Sequence, residues 1–217
     1  SIDDYFYATI TEVGEGYVQT SEETKVPTTG WRYLINQTVF DGDNYLNTAS
    51  IKFVKVTAGV QGICLTKFTN AIINGLGSYA YIENCIFTDN RSCLVSFTLN
   101  KQYLMRSAFV NTPTNHNSIY FDSGPTLRIS GCVFSALSPT GTTALKFAYD
   151  ANSVYIEQCG IFGYAYGCHS ASVSNVRMAA CYIDSSCTYG AYGYNITLTN
   201  CTNNAATPVY NLTSGGS

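Results

Sequence analysis

The chain has little charge and few of the residues that dominate most catalytic sites. Of its 217 residues, 12% are Asp, Glu, Lys or Arg, and the composition includes only two His, two Met, one Trp and five Pro. The 11 Lys and Arg are spread along the chain and form no basic stripe, which argues against nucleic-acid binding. No apolar run approaches the roughly 18 residues that a membrane-spanning helix needs.

Helical periodicity is missing as well. No sustained stretch places apolar residues at the i, i+3, i+4 and i+7 positions of an amphipathic helix, whereas Tyr, Thr, Val, Ile, Phe and Gly are abundant. The sequence therefore predicts an all-β protein, and its length suits one domain with one sizeable core.

The chain does contain a short pattern that recurs along most of its length. An aliphatic residue is followed three positions later by a small residue or Cys, and two positions after that by a large apolar residue. Seven copies and a degenerate eighth are Ile35, Thr38, Phe40; Val60, Ile63, Leu65; Ile82, Cys85, Phe87; Leu104, Ser107, Phe109; Ile129, Cys132, Phe134; Ile156, Cys159, Ile161; Met178, Cys181, Ile183; and Leu198, Cys201, Asn203. Successive copies start 20 to 27 residues apart. That period is typical of solenoids, whose units are too small to fold alone.

The spacing within one unit predicts its geometry, because alternate residues of a strand face the same way. Another apolar residue often lies two positions before the first aliphatic, as Leu127 does before Ile129. One extra residue then separates two runs of period two, which predicts a sharp bend between two short strands. A third apolar strand, such as Ile119 with Phe121, lies elsewhere in the unit. Three short strands per unit predict a single right-handed parallel β-helix of about eight rungs.

Two other architectures could also account for a repeat of this length. Leucine-rich repeats share it, but their framework of leucine and asparagine is missing. A β-sandwich also has many short strands with turns between them. It would not, however, need the same bend at the same place in every unit, so we favour the β-helix.

The ends of the chain depart from the repeat. Residues 1–30 are rich in acidic groups and match the pattern poorly, so we expect an N-terminal cap or an irregular first rung there. The β-helix is predicted for residues 31–205, and residues 206–217, which end in Ser-Gly-Gly-Ser, are predicted to be a tail or linker. The start at Ser1 suggests a processed or excised chain. No terminal helix is predicted to cover the solenoid, and uncovered β edges attract others, so we expect association with copies of itself or with other surface proteins.

Eight of the nine cysteines fall into two groups. Five share the inward position of their units: Cys85, Cys132, Cys159, Cys181 and Cys201. We predict that these form a ladder of buried free thiols that act as small hydrophobes. A line of thiols cannot close a tetrahedron, so no metal site is predicted, and nothing indicates a cofactor. Three cysteines off the ladder are the better disulfide candidates: Cys93, Cys168 and Cys187.

The bend flanked by inward aliphatics resembles the right-handed parallel β-helix proteins of the pectin-lyase-like superfamily, over residues 31–205. Members include pectate lyases, polygalacturonases, phage tailspikes and the polymorphic surface proteins of bacteria and protists. The Cys and Phe units, such as residues 82–87 and 129–134, are most similar to the surface proteins. The resemblance implies an extracellular or cell-surface location, but a fold does not assign a function.

The carboxyl groups do not match the requirements of glycan-cleaving members. Glycoside hydrolysis needs two carboxyl groups about 5 to 9.5 Å apart. Glu83 and Glu157 hold equivalent bend positions, but three rungs separate them, which is roughly 14 Å. Asp122 and Asp150 do not fall in register with one another. Arg128 has no acidic cluster in its rung, as a calcium-dependent lyase would need.

No catalytic residue is therefore predicted, and the two histidines, His116 and His169, are expected to be surface or loop residues. We interpret the chain as a non-catalytic extracellular β-solenoid with a structural or adhesive role. The alternative is a tailspike-like or lyase-like protein that binds or processes glycans. An ice-binding role would need an outward row of Thr on successive rungs, and Thr197 with Thr199 is an isolated pair.

The candidate binding residues are aromatic. Two glycine-bounded segments about one rung apart are expected to be loops that carry Tyr164 and Tyr166, and then Tyr189, Tyr192 and Tyr194. Tyrosine combines a flat apolar face with a hydroxyl, which suits stacking on sugars or contact with proteins. The alternative is that these rings only shield the flank of the solenoid.

Five glycosylation sequons are compatible with a secreted protein. They begin at Asn36, Asn90, Asn195, Asn200 and Asn211. Asn90, in an expected loop, and Asn211, in the expected tail, are the most favourable acceptors.

Overall fold

The structure, a computed structural model, describes residues 10–14, 17–20, 38–41, 49–53, 57–74, 79–96, 101–121, 126–148, 153–171 and 175–211. Within these ranges the chain consists of short strands joined by turns, without a helix. The same residues accordingly offer no helix of the length and apolarity needed to cross a membrane.

The described strands are short and follow one another closely. They are β1 (Ile10–Gly14), β2 (Tyr17–Thr20), β3 (Thr38–Asp41), β4 (Ala49–Phe53), β5 (Thr57–Gln61), β6 (Ile63–Thr66), β7 (Asn70–Asn74), β8 (Tyr79–Glu83), β9 (Ile86–Thr88), β10 (Ser92–Ser96), β11 (Gln102–Met105), β12 (Ala108–Thr112), β13 (Asn117–Phe121), β14 (Thr126–Ser130), β15 (Val133–Ala136), β16 (Thr143–Phe147), β17 (Ser153–Glu157), β18 (Gly160–Phe162), β19 (Tyr166–Ser170), β20 (Val176–Ala179), β21 (Tyr182–Ile183), β22 (Tyr189–Gly193), β23 (Ile196–Thr199), β24 (Thr202–Asn203) and β25 (Thr207–Asn211).

From β3 onward, every third strand belongs to the same parallel sheet. Sheet 1 contains β3, β6, β9, β12, β15, β18, β21 and β24; sheet 2 contains β4, β7, β10, β13, β16, β19, β22 and β25; sheet 3 contains β5, β8, β11, β14, β17, β20 and β23. This arrangement is a parallel β-solenoid, and it confirms the predicted fold class. Seven sets of three strands are complete, from β3–β5 to β21–β23, so the number of full turns is slightly smaller than the predicted eight. Apart from these sheets, β1 and β2 form an antiparallel pair.

The predicted bend lies between sheet 3 and sheet 1 in every described unit. One residue there has a left-handed backbone, with φ between 47° and 71°: Gly62, Asn84, Arg106, Gly131, Gln158, Ala180 and Asn200. In the first six, the backbone N–H donates to a carbonyl of the next rung, with N···O distances of 2.9 to 3.2 Å. The hydrogen-bond ladder therefore continues through the bend, which explains why its position is so regular.

The thiols of the ladder cysteines donate hydrogen bonds to backbone carbonyls at this bend. The thiol of Cys85 donates to the carbonyl of Glu83, with an S···O distance of 3.2 Å, and the other ladder thiols make the equivalent bond. Ser107 replaces Cys at this position, and its hydroxyl donates to the carbonyl of Met105 at 2.9 Å. In these units the position thus holds a small side chain with a donor, which either Cys or Ser supplies.

All nine cysteines are free, which confirms the thiol ladder and shows that the expected disulfides were wrong. Cys93 and Cys168 lie in β10 and β19 of sheet 2, with β13 and β16 between them. Three strand spacings, roughly 14 Å, exceed the reach of a disulfide. Cys187 is also buried, and its thiol donates to the carbonyl of Ile161.

The core is a set of stacks of like side chains. Phe87, Phe109 and Phe134 are fully buried and stack nearly parallel in sheet 1, with ring centroids 4.8 Å apart in each pair. Phe121 stacks on Phe147 in sheet 2 at 5.2 Å. These contacts confirm the predicted inward positions. In the first copy of the repeat, Ile35 lies outside the described residues, as do the side chains of Thr38 and Phe40.

The solenoid continues beyond the predicted boundary at residue 205. Residues 207–211, which were expected to be tail, form β25, and Val209 pairs with Ala191 in parallel register with β22. The sheet 2 strands lack the bend motif, so this last strand carried no sequence signal of the repeat.

Candidate functional site

The outward face of sheet 2 carries a compact group of aromatic side chains near the end of the solenoid. Its five members, which we call the tyrosine cluster, are Tyr166, His169, Tyr189, Tyr192 and Tyr210. Tyr166 pairs in register with Tyr189, and His169, Tyr192 and Tyr210 form a second row on successive strands β19, β22 and β25. Two outward rows of rings therefore lie side by side.

The rings are in mutual contact. Tyr166 stacks on Tyr189 and Tyr192 stacks on Tyr210, with centroid distances of 5.2 and 5.1 Å and nearly parallel planes. Tyr192 also meets Tyr166, His169 and Tyr189 edge to face at 5.0 to 5.2 Å. Tyr192 is thus the centre of the cluster, while Tyr210 at its rim is 47% exposed.

Glycines beneath the rings let the strands pack closely. A Cβ on Gly167 would lie 2.7 Å from the carbonyl oxygen of Gly190, and one on Gly190 would lie 2.6 Å from that of Pro208. These glycines were expected to bound loops, and that prediction was wrong. They are inward positions of β19 and β22, so Tyr166, Tyr189 and Tyr192 lie on strands.

Two members of the cluster have pKa values that are shifted in favour of the uncharged side chain. Burial, and then the neighbouring positive charge of Lys146, lower the pKa of His169 below its ordinary value. Desolvation, and then the nearby tyrosine hydroxyls, raise the pKa of Tyr192. Lys146 itself extends over the ring of Tyr120, with its Nζ 5.8 Å from the centroid.

Two of the five predicted tyrosines do not belong to the cluster. Tyr164 is fully buried, and its hydroxyl is hydrogen-bonded to those of Ser118 at 2.6 Å and Thr112 at 3.0 Å. Its assignment to a binding surface was therefore wrong. Tyr194 is half-buried just after β22 and is not one of the rings in contact. Two members of the cluster were not predicted as site residues: Tyr210, because it lay in the expected tail, and His169, because it was expected to be a surface or loop residue.

The two carboxyl groups at equivalent bend positions lie far apart. Glu83 and Glu157 occupy the same register position of sheet 3, with Met105 and Ser130 on the two strands between them. Three strand spacings, roughly 14 Å, exceed the separation that a glycosidase needs. Glu83 forms an ion pair with Arg106, and Glu157 pairs with Arg128 at 2.9 Å. Asp122 and Asp150 lie outside the described residues.

The remaining titratable candidates are scattered. His116 precedes β13, whereas His169 lies on β19, and burial followed by the charge of Arg91 lowers the pKa of His116. Across the described ranges, no group of three or more His, Cys, Asp or Glu side chains is arranged to hold a metal ion.

The sequons have different environments. Asn90 is completely buried; its amide oxygen accepts from the N–H of Phe68 at 2.9 Å, and its amide nitrogen donates to the carbonyl of Leu65 at 2.8 Å. Such an amide cannot carry a glycan in the folded protein, so its assignment as an acceptor was wrong. Asn195 and Asn200 are exposed. Asn36 lies outside the described residues, as does the side chain of Asn211.

No protein-family model, curated protein or solved structure matches this chain.

Proposed function

We propose that this protein is a non-catalytic β-solenoid of the cell exterior, with a structural or adhesive role, and that it associates with copies of itself through the tyrosine cluster. Other surface proteins are its second class of partner. The similarity of its Cys and Phe units to those of polymorphic surface β-helix proteins agrees with this role.

The tyrosine cluster is the observation that carries the proposal. Its five rings lie on two neighbouring rows, and four of them present a hydroxyl group beside an apolar face. Tyrosine is enriched in protein interfaces, since a rigid ring offers much contact area at a low cost in side-chain entropy. The cluster also reaches β25, the last strand of sheet 2 in the described chain, where Val209 and Tyr210 are both exposed.

A glycan-processing enzyme is the weaker alternative. Glu83 and Glu157 are too far apart to act as an acid and a base on one bond, and each is paired with an arginine.

The experiment compares the assembly of two serine variants. Light scattering on Tyr192→Ser should report a large loss of self-association relative to the unmodified protein, because this ring contacts the other four. Tyr182→Ser is the matched control, since Tyr182 is also a surface tyrosine on a strand but lies on sheet 1. Equal association of both variants and the unmodified protein, with unchanged melting temperatures, would contradict the proposal.

A further inference from the structure

The outward face of sheet 3 carries a second row of aromatic and cationic side chains, distinct from the tyrosine cluster. One residue of each strand points outward at the same register, and from β8 to β20 these residues are Tyr81, Tyr103, Arg128, Tyr155 and Arg177. Adjacent strands are about 4.8 Å apart, so this sheet 3 row extends over roughly 19 Å along the solenoid.

A depression opens in the middle of the sheet 3 row. It has a volume of about 210 Å³ and is lined by Tyr103, Arg128 and Tyr155, with Lys101 and Thr126 at its side. Tyr103 and Tyr155 lie on strands two spacings apart, roughly 10 Å, with Arg128 on the strand between them. The depression is smaller than the ~300–1,000 Å³ of pockets for drug-sized ligands, so it suits a single ring.

The tyrosine rings beside this depression are oriented so that a ligand ring can stack on them. Tyr81 and Tyr103 stack nearly parallel, with centroids 5.0 Å apart and an angle of 5° between their planes. Their faces therefore point along the solenoid axis, and the face of Tyr103 opposite Tyr81 is directed towards the depression. A ring that enters perpendicular to the sheet can stack on this face, while the remainder of its ligand extends away from the sheet. That geometry favours a terminal ring over an internal unit of a polymer.

Among the described residues, the charge along this face is positive, although the whole chain has a net charge of −3. Four cations, Lys101, Arg106, Arg128 and Arg177, lie along this face, and two carboxylates, Glu83 and Glu157, pair with Arg106 and Arg128. Within the described ranges no carboxylate pairs with Lys101 or Arg177, and Arg177 lies over the ring of Tyr155 at 5.9 Å.

Arg128 retains hydrogen-bonding capacity despite its ion pair. A guanidinium has five N–H donors, and the bond to Glu157 involves Nη2. Arg128 is also more than half exposed, so its other donors are accessible from the depression. A carboxylate in the depression could therefore bind Arg128 and Lys101 together.

We propose that the depression binds the terminal carboxylated sugar of a glycan. The sugar ring stacks on Tyr103 and Tyr155, and its carboxylate binds Arg128 and Lys101. This site is independent of self-association through the tyrosine cluster, so each proposal can fail without the other.

Calorimetric titration with sialyllactose tests this proposal, with lactose as the neutral probe. Sialyllactose should bind. Lactose, which lacks the carboxylate, should bind at least about tenfold more weakly. Higher salt should weaken the binding of sialyllactose. No binding of sialyllactose, or equal binding of the two sugars, would overturn the proposal. Tighter binding of an oligogalacturonate would overturn the preference for a terminal sugar.

Two arginine variants distinguish the loss of a specific contact in the depression from a general loss of positive charge. Arg128→Gln should weaken the binding of sialyllactose about tenfold. Arg106→Gln removes the equivalent ion pair, with Glu83, but lies outside the depression, so it should leave the affinity unchanged. Similarly, Tyr103→Phe should retain binding and Tyr103→Ser should lose it. Equal losses from both arginine variants, at unchanged melting temperatures, would contradict the assignment.

Discussion

At the scale of single residues, the bend between sheets 3 and 1 is the most demanding position in the chain. Its backbone is left-handed, which costs an L-residue with a Cβ about 1–2 kcal/mol relative to glycine. Glycine occupies it in only two of the seven described bends, at Gly62 and Gly131. The ladder hydrogen bonds and the thiols beside the bend hold the other residues in this conformation.

Ala180 has the least compensation, because its methyl group cannot form a hydrogen bond at the bend. We expect Ala180→Gly to raise the free energy of unfolding by about 0.5 to 1 kcal/mol. Ala179→Gly, one residue earlier within β20, should lower it by a similar amount. Urea denaturation measures both. A lower midpoint for Ala180→Gly would show that the left-handed bend is not a source of strain.

His169 should make stability depend on pH. The pKa of His169 in the folded chain lies below its ordinary value near 6.5, so below that pH the unfolded chain binds a proton that the folded cluster resists. Stability should therefore be full above pH about 6.5 and fall as the pH decreases towards the lowered pKa. Lys146, Tyr166 and Tyr192 surround this imidazole.

Thermal unfolding at several pH values tests this dependence. His169→Gln should reduce the loss of stability on acidification, and His116, whose pKa is also lowered, should account for part of the remainder. The double variant His116→Gln with His169→Gln should show the smallest dependence. An unchanged pH profile in His169→Gln would contradict the neutral state of this residue.

At the scale of elements, the stacks of like side chains connect each strand to its neighbours. Phe134 is the end of the described stack Phe87, Phe109 and Phe134. Phe134→Ala should lower the free energy of unfolding by roughly 3 to 5 kcal/mol, because it removes a fully buried ring. Val133→Ala, on the outward side of the same strand, should cost less than about 1 kcal/mol. Similar costs for the two variants in chemical denaturation would contradict the inward position of Phe134.

The elements differ in how much of them could be predicted from the sequence. The strand pair around the bend was predictable, since residues such as Ile129, Cys132 and Phe134 combine a fixed spacing with a backbone requirement. The strands of sheet 2 were harder to recognise. Gly167 and Gly190 look like loop residues, and only the packing of neighbouring backbones shows that they are inward positions.

The candidate sites depend on register between rungs, which is harder to predict than the rungs themselves. The sheet 3 row did have a signal, because Tyr81, Tyr103, Arg128 and Tyr155 each precede the first aliphatic of their unit. The tyrosine cluster was harder to predict, since Tyr210 becomes part of it only when residues 207–211 are recognised as strand β25. Tyr164 was wrongly expected at the surface, because the spacing of residues does not show that its hydroxyl has a buried hydrogen-bond partner.

At the scale of the whole molecule, a repetitive interior supports three chemically different outer faces. Sheet 1 exposes aliphatic residues such as Ile86 and Val133, sheet 2 presents the tyrosine cluster, and sheet 3 presents aromatic and cationic residues. Core packing restricts inward positions, whereas outward positions can vary from rung to rung. The fold therefore serves as a scaffold for the two proposed binding surfaces, one on sheet 2 and one on sheet 3.

The assembly state of the unmodified protein tests the central claim most directly. Light scattering over a range of protein concentrations, together with electron microscopy, should show species larger than one chain whose population grows with concentration. Filaments or arrays would agree with a structural role based on contact between copies. A single chain at every concentration would contradict self-association through the tyrosine cluster.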